Sequence, residues 1–244
     1  MIRILGARKG FGPLTVLDGV DLHIEPGETH VILGRSGSGK SVLLKLICGL
    51  MRPDAGTIEL DGEPLLIDEP ASLARARSMT QMLFQGGALF DSLTVAQNVS
   101  FHGVEHGRID QSEAFAFAEP YLAMVGLEGA GPLMPAELSG GMKKRAALAR
   151  ALAVRPRIML YDEPTTGLDP LTGQRINQLI RETQTRFKVT SVVVTHDLRS
   201  AQEVGDRCSF LEEGRILETT TPRQLRHSDH PLLRRFAQEA TPRF

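Results

Sequence analysis

The chain has 244 residues, with 28 Lys and Arg against 29 Asp and Glu, a formal net charge of −1 and two cysteines. That length buries a full α/β core as one domain, with room for an inserted subdomain, and the near-zero charge supplies no basic field for nucleic acid. Cys48 and Cys208 form no metal spacing and read as small core residues of a reduced, intracellular chain; no apolar run approaches the roughly 18 residues of a spanning helix and Met1-Ile2-Arg3-Ile4-Leu5 is too short for a signal peptide, so a soluble or membrane-peripheral protein is expected.

Residues 1–33 read as strands separated by turns at Phe11-Gly12-Pro13 and Glu25-Pro26-Gly27-Glu28, with 16–24 alternating as a half-buried strand does. His30-Val31-Ile32-Leu33 reads as a buried parallel strand, and 41–50 places apolar residues at helical spacing. Between them stands Gly34-Arg35-Ser36-Gly37-Ser38-Gly39-Lys40-Ser41, which matches the phosphate-binding pattern G-x-x-x-x-G-K-[ST] in the strand-loop-helix context that the pattern needs. Residues 57–60 predict a strand ending in the turn Asp61-Gly62. A further strand is expected over 78–84, with a break at Gln85-Gly86-Gly87. From about 89 to 156 the chain is Ala-rich and helix-prone, with its strongest helices over 110–125 and 139–154. Buried strands return at 158–161 and 191–194, separated by a helix over 172–187. That alternation predicts a parallel sheet with right-handed crossovers. Beyond Pro222 the chain reads as helical and basic (Arg223, Arg226, Arg234, Arg235), with fraying last residues.

The glycines of the loop let the backbone turn its N–H groups inward as an anion cradle, and the following helix adds the positive end of its dipole. Lys40 can reach the β- and γ-phosphates of a nucleotide, and the Ser41 hydroxyl can ligate Mg²⁺. The strand 158–161 runs into Asp162-Glu163-Pro164 at the strand end where ligands of open α/β sheets bind. There Asp162 can hold Mg²⁺ through water and Glu163 can take a proton from an attacking water. His196 ends another strand beside the same crevice, within reach of the γ-phosphate or the water. Gln85 ends a third strand, where its amide can sense Mg²⁺ or water. Ser139 is an N-cap before a long helix, and Gly140 and Gly141 expose N–H groups at its start. This is either a second anion site or an ordinary cap. As an anion site it suggests a head-to-tail dimer, with each ATP held between the loop of one chain and Ser139-Gly140-Gly141 of the other.

Taken together, the phosphate loop, Gln85, Leu138-Ser139-Gly140-Gly141-Met142, Tyr161-Asp162-Glu163-Pro164, Leu168-Asp169 and His196 resemble, in order and spacing, the nucleotide-binding subunits of ATP-binding cassette transporters. The resemblance spans essentially the full length. It implies an α/β fold with a RecA-like P-loop NTPase core (about 1–88 and 157–240), an N-terminal antiparallel β-subdomain, an inserted helical subdomain (about 89–156) and a tail at 241–244. It implies ATP and Mg²⁺ as ligands, with Gly34, Ser36, Gly37, Ser38, Gly39, Lys40, Ser41 and Val42 around the phosphates and Ser41, Gln85 and Asp162 around the metal. Phe11 would stack on adenine, Ser139, Gly140 and Gly141 would bind the partner's γ-phosphate, and Asp169 would lie in the loop crossing the dimer interface. Met142 stands where the family usually has Gln, so contacts made by a Gln side chain are not implied.

Within the family, residues 82–95 and the stretch Leu138 to Arg145 resemble the ATPases of MCE systems, which move phospholipid or other hydrophobic molecules in bacteria with a double envelope. That resemblance implies a second copy of the chain, membrane permeases, an MCE-domain protein, a small regulatory subunit and a place on the cytoplasmic face of the inner membrane. The apolar Gly87-Ala88-Leu89-Phe90 suits a dry site for a permease's coupling helix or a satellite cluster. Lys143, Lys144 and Arg145 read as a solvated helix face. The C-terminal helices either contact a partner or pack on their own domain. A polar-solute importer and a non-transport switch of the cell-division type remain open alternatives. The long coiled-coil insertion of DNA-repair members and the double cassette of translation members are not found here, and Glu163 with His196 speaks against a binding module without turnover.

Overall fold

A computed structural model describes residues 1–239. In chain order the strands are β1 (Ile2–Phe11), β2 (Leu14–Ile24), β3 (Thr29–Leu33), β4 (Ala55–Leu60), β5 (Glu63–Pro64), β6 (Thr80–Leu83), β7 (Ile158–Asp162), β8 (Thr190–Thr195), β9 (Arg207–Glu212) and β10 (Arg215–Thr220). The helices are α1 (Lys40–Ile47), α2 (Pro70–Met79), α3 (Val95–Glu105), α4 (Ala114–Met124), α5 (Gly140–Ala153), α6 (Pro170–Phe187), α7 (Leu198–Val204) and α8 (Pro231–Glu239).

The strands form two sheets, an antiparallel one in the order β2-β1-β4-β5 and a six-stranded one in the order β10-β9-β3-β8-β7-β6. In the second sheet β9, β3, β8, β7 and β6 run parallel, and β10 closes one edge antiparallel to β9. Every residue of β3, β7 and β8 is buried, as befits parallel strands covered on both faces. Their side chains divide by alternation. Val31, Leu33, Met159, Tyr161 and Val193 face a core shared with α3 to α8. Ile32, Ile158, Leu160, Val192 and Val194 face a second core shared with α1 and the antiparallel sheet. Helices α3, α4 and α5 pack on one another, and α5 also meets β6.

Several sequence expectations shift at their edges. Ser78 and Met79, expected in a strand, complete α2, and the strand begins at Thr80, whose backbone N–H donates to Ala76 O. The helix expected over 110–125 starts as a 3-10 turn, Gln111–Glu113, and is α-helical only over Ala114–Met124. The helix expected to reach residue 50 stops at Ile47, because Gly49 takes φ 68°, a left-handed value that ends a helix. No strand is expected between 200 and 222, yet β9 and β10 lie there. The C-terminal helix is divided into a 3-10 turn, Gln224–His227, and α8. It packs on its own domain, with Leu233 fully buried and Phe236 edge-on to Phe210 at 5.0 Å between ring centres. Ala240 and the tail at 241–244 lie outside the described residues.

A buried polar chain pins β3 to the β9–β10 edge. His30, fully buried, donates from Nδ1 to Glu28 Oε1 at 2.7 Å, and its Nε2 meets Ser209 Oγ at 2.8 Å. Ser209 Oγ in turn meets Thr219 Oγ1 at 2.7 Å. Burial pushes the Glu28 carboxyl up, but the hydrogen bonds from His30 and the Glu25 N–H outweigh it and hold the group below its ordinary value. A depressed carboxyl contributes stability that is present above the ordinary value near 4.3 and lost as pH falls through the lowered one. Glu28→Gln is expected to cost roughly 1–3 kcal/mol at pH 7. It should also lose less further stability than the parent between pH 5 and pH 3. Urea denaturation across that range checks both, and equal losses in the two proteins contradict the assignment.

Candidate active site

The loop between β3 and α1 is shaped by glycines that no other residue replaces. Gly37 and Gly39 take φ 83° and 102°. A Cβ on Gly34 would stand 2.3 Å from Leu211 O and 2.6 Å from Ser38 Oγ, and one on Gly39 2.8 Å from Leu17 Cδ2. Lys40, only 6% exposed, donates from Nζ to Gly34 O and Arg35 O, both at 2.9 Å. Its ammonium also lies 3.6 Å from the Glu163 carboxylate. Burial pushes the Lys40 amine below its ordinary value, with Glu163 opposing the shift. The buried Ser38 hydroxyl has no partner among the described residues, so the loop holds a donor still unsatisfied.

Strand β8 lies between β3 and β7, so the loop after β3, the carboxylates at the end of β7 and the histidine after β8 share one edge of the sheet. Asp162 accepts from Ser41 Oγ at 2.7 Å. Burial raises the Asp162 carboxyl, the Ser41 bond opposing it. Glu163 adopts φ 47°, a strained value for a non-glycine. Its neighbours hold it there. Its N–H donates to Val194 O at 3.0 Å, and its carboxylate accepts from Thr166 Oγ1 and from His196 Nδ1, each at 2.9 Å. A cavity of about 710 Å³ opens over these groups, lined by Ser36, Gly37, Gly39, Lys40, Ser41, Val42, Gln85, Glu163 and His196. Val16, Thr166 and Phe236 line it as well, and sequence reasoning missed all three. Only Val16, at two-residue spacing in a predicted strand, carried a signal.

The remaining expected residues lie elsewhere. Phe11 sits at the end of β1, 46% exposed and outside the cavity lining. Ser139 caps α5, its Oγ accepting from Met142 N at 3.3 Å, and it is exposed together with Gly140. Asp169 caps α6, accepting from Thr172 N at 3.0 Å. The two helix starts adjoin: a Cβ on Gly141 would come within 2.5 Å of Thr172 Cγ2. None of the Ser139–Asp169 group lines the cavity.

The expectation of a solvated face at 143–145 is overturned. Lys144 is 5% exposed, and its Nζ donates to Thr166 O at 2.7 Å, Pro164 O at 2.9 Å and Glu163 O at 3.4 Å. Burial pushes its amine down, opposed by the Glu163 carboxylate. Arg145 donates to Val125 O at 3.1 Å and Gly126 O at 2.6 Å. Long basic stems reach unpaired carbonyls at loop and helix ends, and those acceptors are invisible in a local charge pattern.

The donor set fits a magnesium nucleotide. A hydroxyl and a carboxylate are hard oxygen ligands, of the kind Mg²⁺ takes while keeping water and phosphate oxygens in its shell. Among the described residues no group of three or more His, Cys, Asp or Glu side chains could hold a metal. Also among the described residues, no helix is long and apolar enough to cross a membrane.

The strand-loop-helix cradle, the paired carboxylates and the capped glycine helix define an ATP-binding-cassette ATPase domain. The sequence pattern of the ABC transporter family matches residues 17–166, and the chain belongs to that family. It is 39% identical over 235 residues to the probable ribonucleotide transport ATP-binding protein mkl of Mycobacterium bovis, covering 96% of this chain but 66% of that protein. It is 40% identical over 224 residues to the glutamate transport ATP-binding protein GluA of Corynebacterium glutamicum, covering 91% of each. An ATP-binding cassette solved as a dimer in a post-hydrolysis state with ADP and phosphate superposes with a TM-score of 0.82 at 34% identity, over 91% of this chain and 99% of that one.

Lys40→Ala removes the cation between loop and carboxylate and should weaken Mg-ATP binding by tenfold or more, about 1.4 kcal/mol per decade. Calorimetry on the purified chain reads this directly, and an unchanged affinity contradicts the placement of Lys40 on the phosphates.

Proposed function

We propose that the chain hydrolyses ATP as one half of a head-to-tail pair and thereby drives a membrane permease. The observation that carries this reading is the separation of two anion receptors. The cradle around Lys40 lines the cavity, whereas Ser139 and Gly140, at the start of the other helix, are exposed to solvent outside it. A single triphosphate is gripped by both only when the second receptor comes from another copy. That the related cassette was solved as a dimer with ADP and phosphate supports the same arrangement.

In this mechanism the cradle of Gly34 to Ser41 with Val42 binds and orients the phosphates, and Phe11 stacks on the base. Ser41, Asp162 and Gln85 hold Mg²⁺, which when bound neutralises charge on the phosphate oxygens. Glu163, fixed by Thr166 and His196, takes a proton from water as the water oxygen bonds to the γ-phosphorus. The bond from that phosphorus to the bridging oxygen breaks, and ADP leaves with the electron pair. His196 steadies the base and the γ-phosphate. Asp169 crosses toward the partner, and the helices between 89 and 156 act as one subdomain that meets the permease.

A groove of about 430 Å³, lined by Leu50, Phe84, Phe90 and Phe101 and bordered by Arg150, suits a short apolar helix of that permease. On this reading the subunit sits peripherally on the cytoplasmic face of the inner membrane. For the cargo we favour phospholipid or another hydrophobic molecule, on the resemblance of residues 82–95 and Leu138 to Arg145 to MCE ATPases, with an MCE-domain protein and a small regulatory subunit as further partners. A polar solute is the second reading, favoured by the substrates for which the two relatives are named, ribonucleotide and glutamate.

Two outcomes test this. In a Glu163→Gln background, where turnover should fall by at least a hundredfold, Mg-ATP should convert the chain to dimers in light scattering. Adding Ser139→Arg should abolish those dimers while monomer affinity for ATP stays within threefold; dimers of normal yield would remove the head-to-tail arrangement. Separately, the complex drawn from native membranes should hold a permease, an MCE-domain protein and bound phospholipid. A permease carrying a nucleotide or amino acid without an MCE protein would overturn the lipid reading.

A further inference from the structure

Helix α5 begins at the exposed Ser139 cap and runs inward past the base. Its Lys144 spends all three ammonium protons on one short stretch of backbone, the carbonyls of Glu163, Pro164 and Thr166. That stretch holds Glu163 at φ 47° and carries the Thr166 hydroxyl that bonds its carboxylate. Two turns further on, Arg150 donates to Ala88 O at 2.7 Å and Gly87 O at 3.2 Å, on the loop that follows Gln85. The element that presents the second anion receptor is therefore tied by the buried Lys144 to the loop of the base and by the half-buried Arg150 to the loop of Gln85.

Carbonyls alone do not justify a buried ammonium as a stability device. An ammonium removed from water costs several kcal/mol, and an apolar residue of the same volume often serves as well. What an apolar side chain cannot do is fix three carbonyl directions at once. Two short donor contacts, to Pro164 O and Thr166 O, and a longer one to Glu163 O set the orientation of a strained loop, and the Glu163 side chain leaves that loop directly.

We propose that Lys144 is a positioning residue for the reaction: it locks the Glu163 loop to the Ser139–Gly141 helix start, so that engaging the partner's nucleotide and aligning the chain's own base are one rigid movement. This rests on the head-to-tail reading above. Lys144 lies outside the cavity lining and acts through the Glu163 loop. Its removal should therefore spare the binding of ATP to the single chain and strike the chemical step and the communication between the two sites.

The test compares the parent with Lys144→Met, which keeps the apolar stem and removes the donors, and Lys144→Gln, which restores two N–H donors without charge. Expected for Lys144→Met is a fall in kcat of tenfold or more. KM and calorimetric Mg-ATP affinity should stay within threefold, and the Hill coefficient for ATP should drop toward one. Lys144→Gln should recover part of kcat. A methionine variant within twofold of the parent in kcat overturns the proposal, as does a fall in ATP affinity matching the fall in kcat. Should the methionine variant fail to fold, the glutamine variant carries the same reading: kcat lowered at least threefold at unchanged affinity supports it, and kcat equal to the parent overturns it. Failure of the dimer reading shows independently, as absence of ATP-driven dimers in Glu163→Gln with Lys144 intact.

Discussion

Everything at the site is arranged around one ion pair, the buried Lys40 ammonium and the half-buried Glu163 carboxylate at 3.6 Å. An ammonium at that depth keeps its charge only with partners, and the chain supplies two carbonyls of its own loop and one carboxylate from a strand more than 100 residues away. The pairing is possible because β8 lies between β3 and β7, which brings three strand ends to one edge. His196, leaving β8, then reaches the Glu163 carboxylate from the other side. A carboxylate held among a lysine, a threonine and a histidine has its position set before any substrate arrives. On the proposed reading of Glu163 as the base, that is the preorganisation it needs, and the strained backbone at Glu163 is its structural cost.

The part of this arrangement legible in the sequence was the part that local spacing encodes. Strands β3, β7 and β8 are buried on both faces, so they spell continuous apolar runs that end at Gly34, Asp162 and His196. The glycine loop announces itself because its backbone angles exclude other residues at fixed intervals. Strands β9 and β10 carry no such run. Residues 215–220 read Arg-Ile-Leu-Glu-Thr-Thr, an exposed edge with half-buried alternation, and the turn before it uses Glu213 and Gly214 at positive φ, which a local reading takes for a loop. Phe236 escaped because it reaches the cavity by packing on Phe210 from the chain's far end.

Lys144 illustrates a different limit. On a helix that reads Lys-Lys-Arg, charge patterning points to solvent, and that inference weighs the desolvation of an ammonium correctly. It fails because the acceptors are backbone carbonyls turned toward the helix by the strained loop. The same strain that aims Glu163 outward leaves the carbonyls of Glu163, Pro164 and Thr166 converging on one point. A cation is what such a point calls for, since carbonyls aimed at one another in a dry interior repel.

On the head-to-tail reading proposed above, the two anion receptors differ in the way a switch requires. In the cradle Lys40 and Ser38 are buried beneath an open cleft, whereas Ser139 and Gly140 meet water. Helix-terminal N–H groups in water are weak anion ligands, because the solvent's dielectric response competes with them, and their worth rises several-fold once the site is covered. A receptor already dry in the single chain would bind the γ-phosphate equally well before and after pairing, and equal affinity for two states shifts neither. On the head-to-tail reading, an exposed second receptor postpones most of the grip on the terminal phosphate until a partner excludes water from it. Losing that phosphate then removes stabilisation from the paired state alone, and a tie such as that of Lys144 carries the change into the loop where the next water is activated.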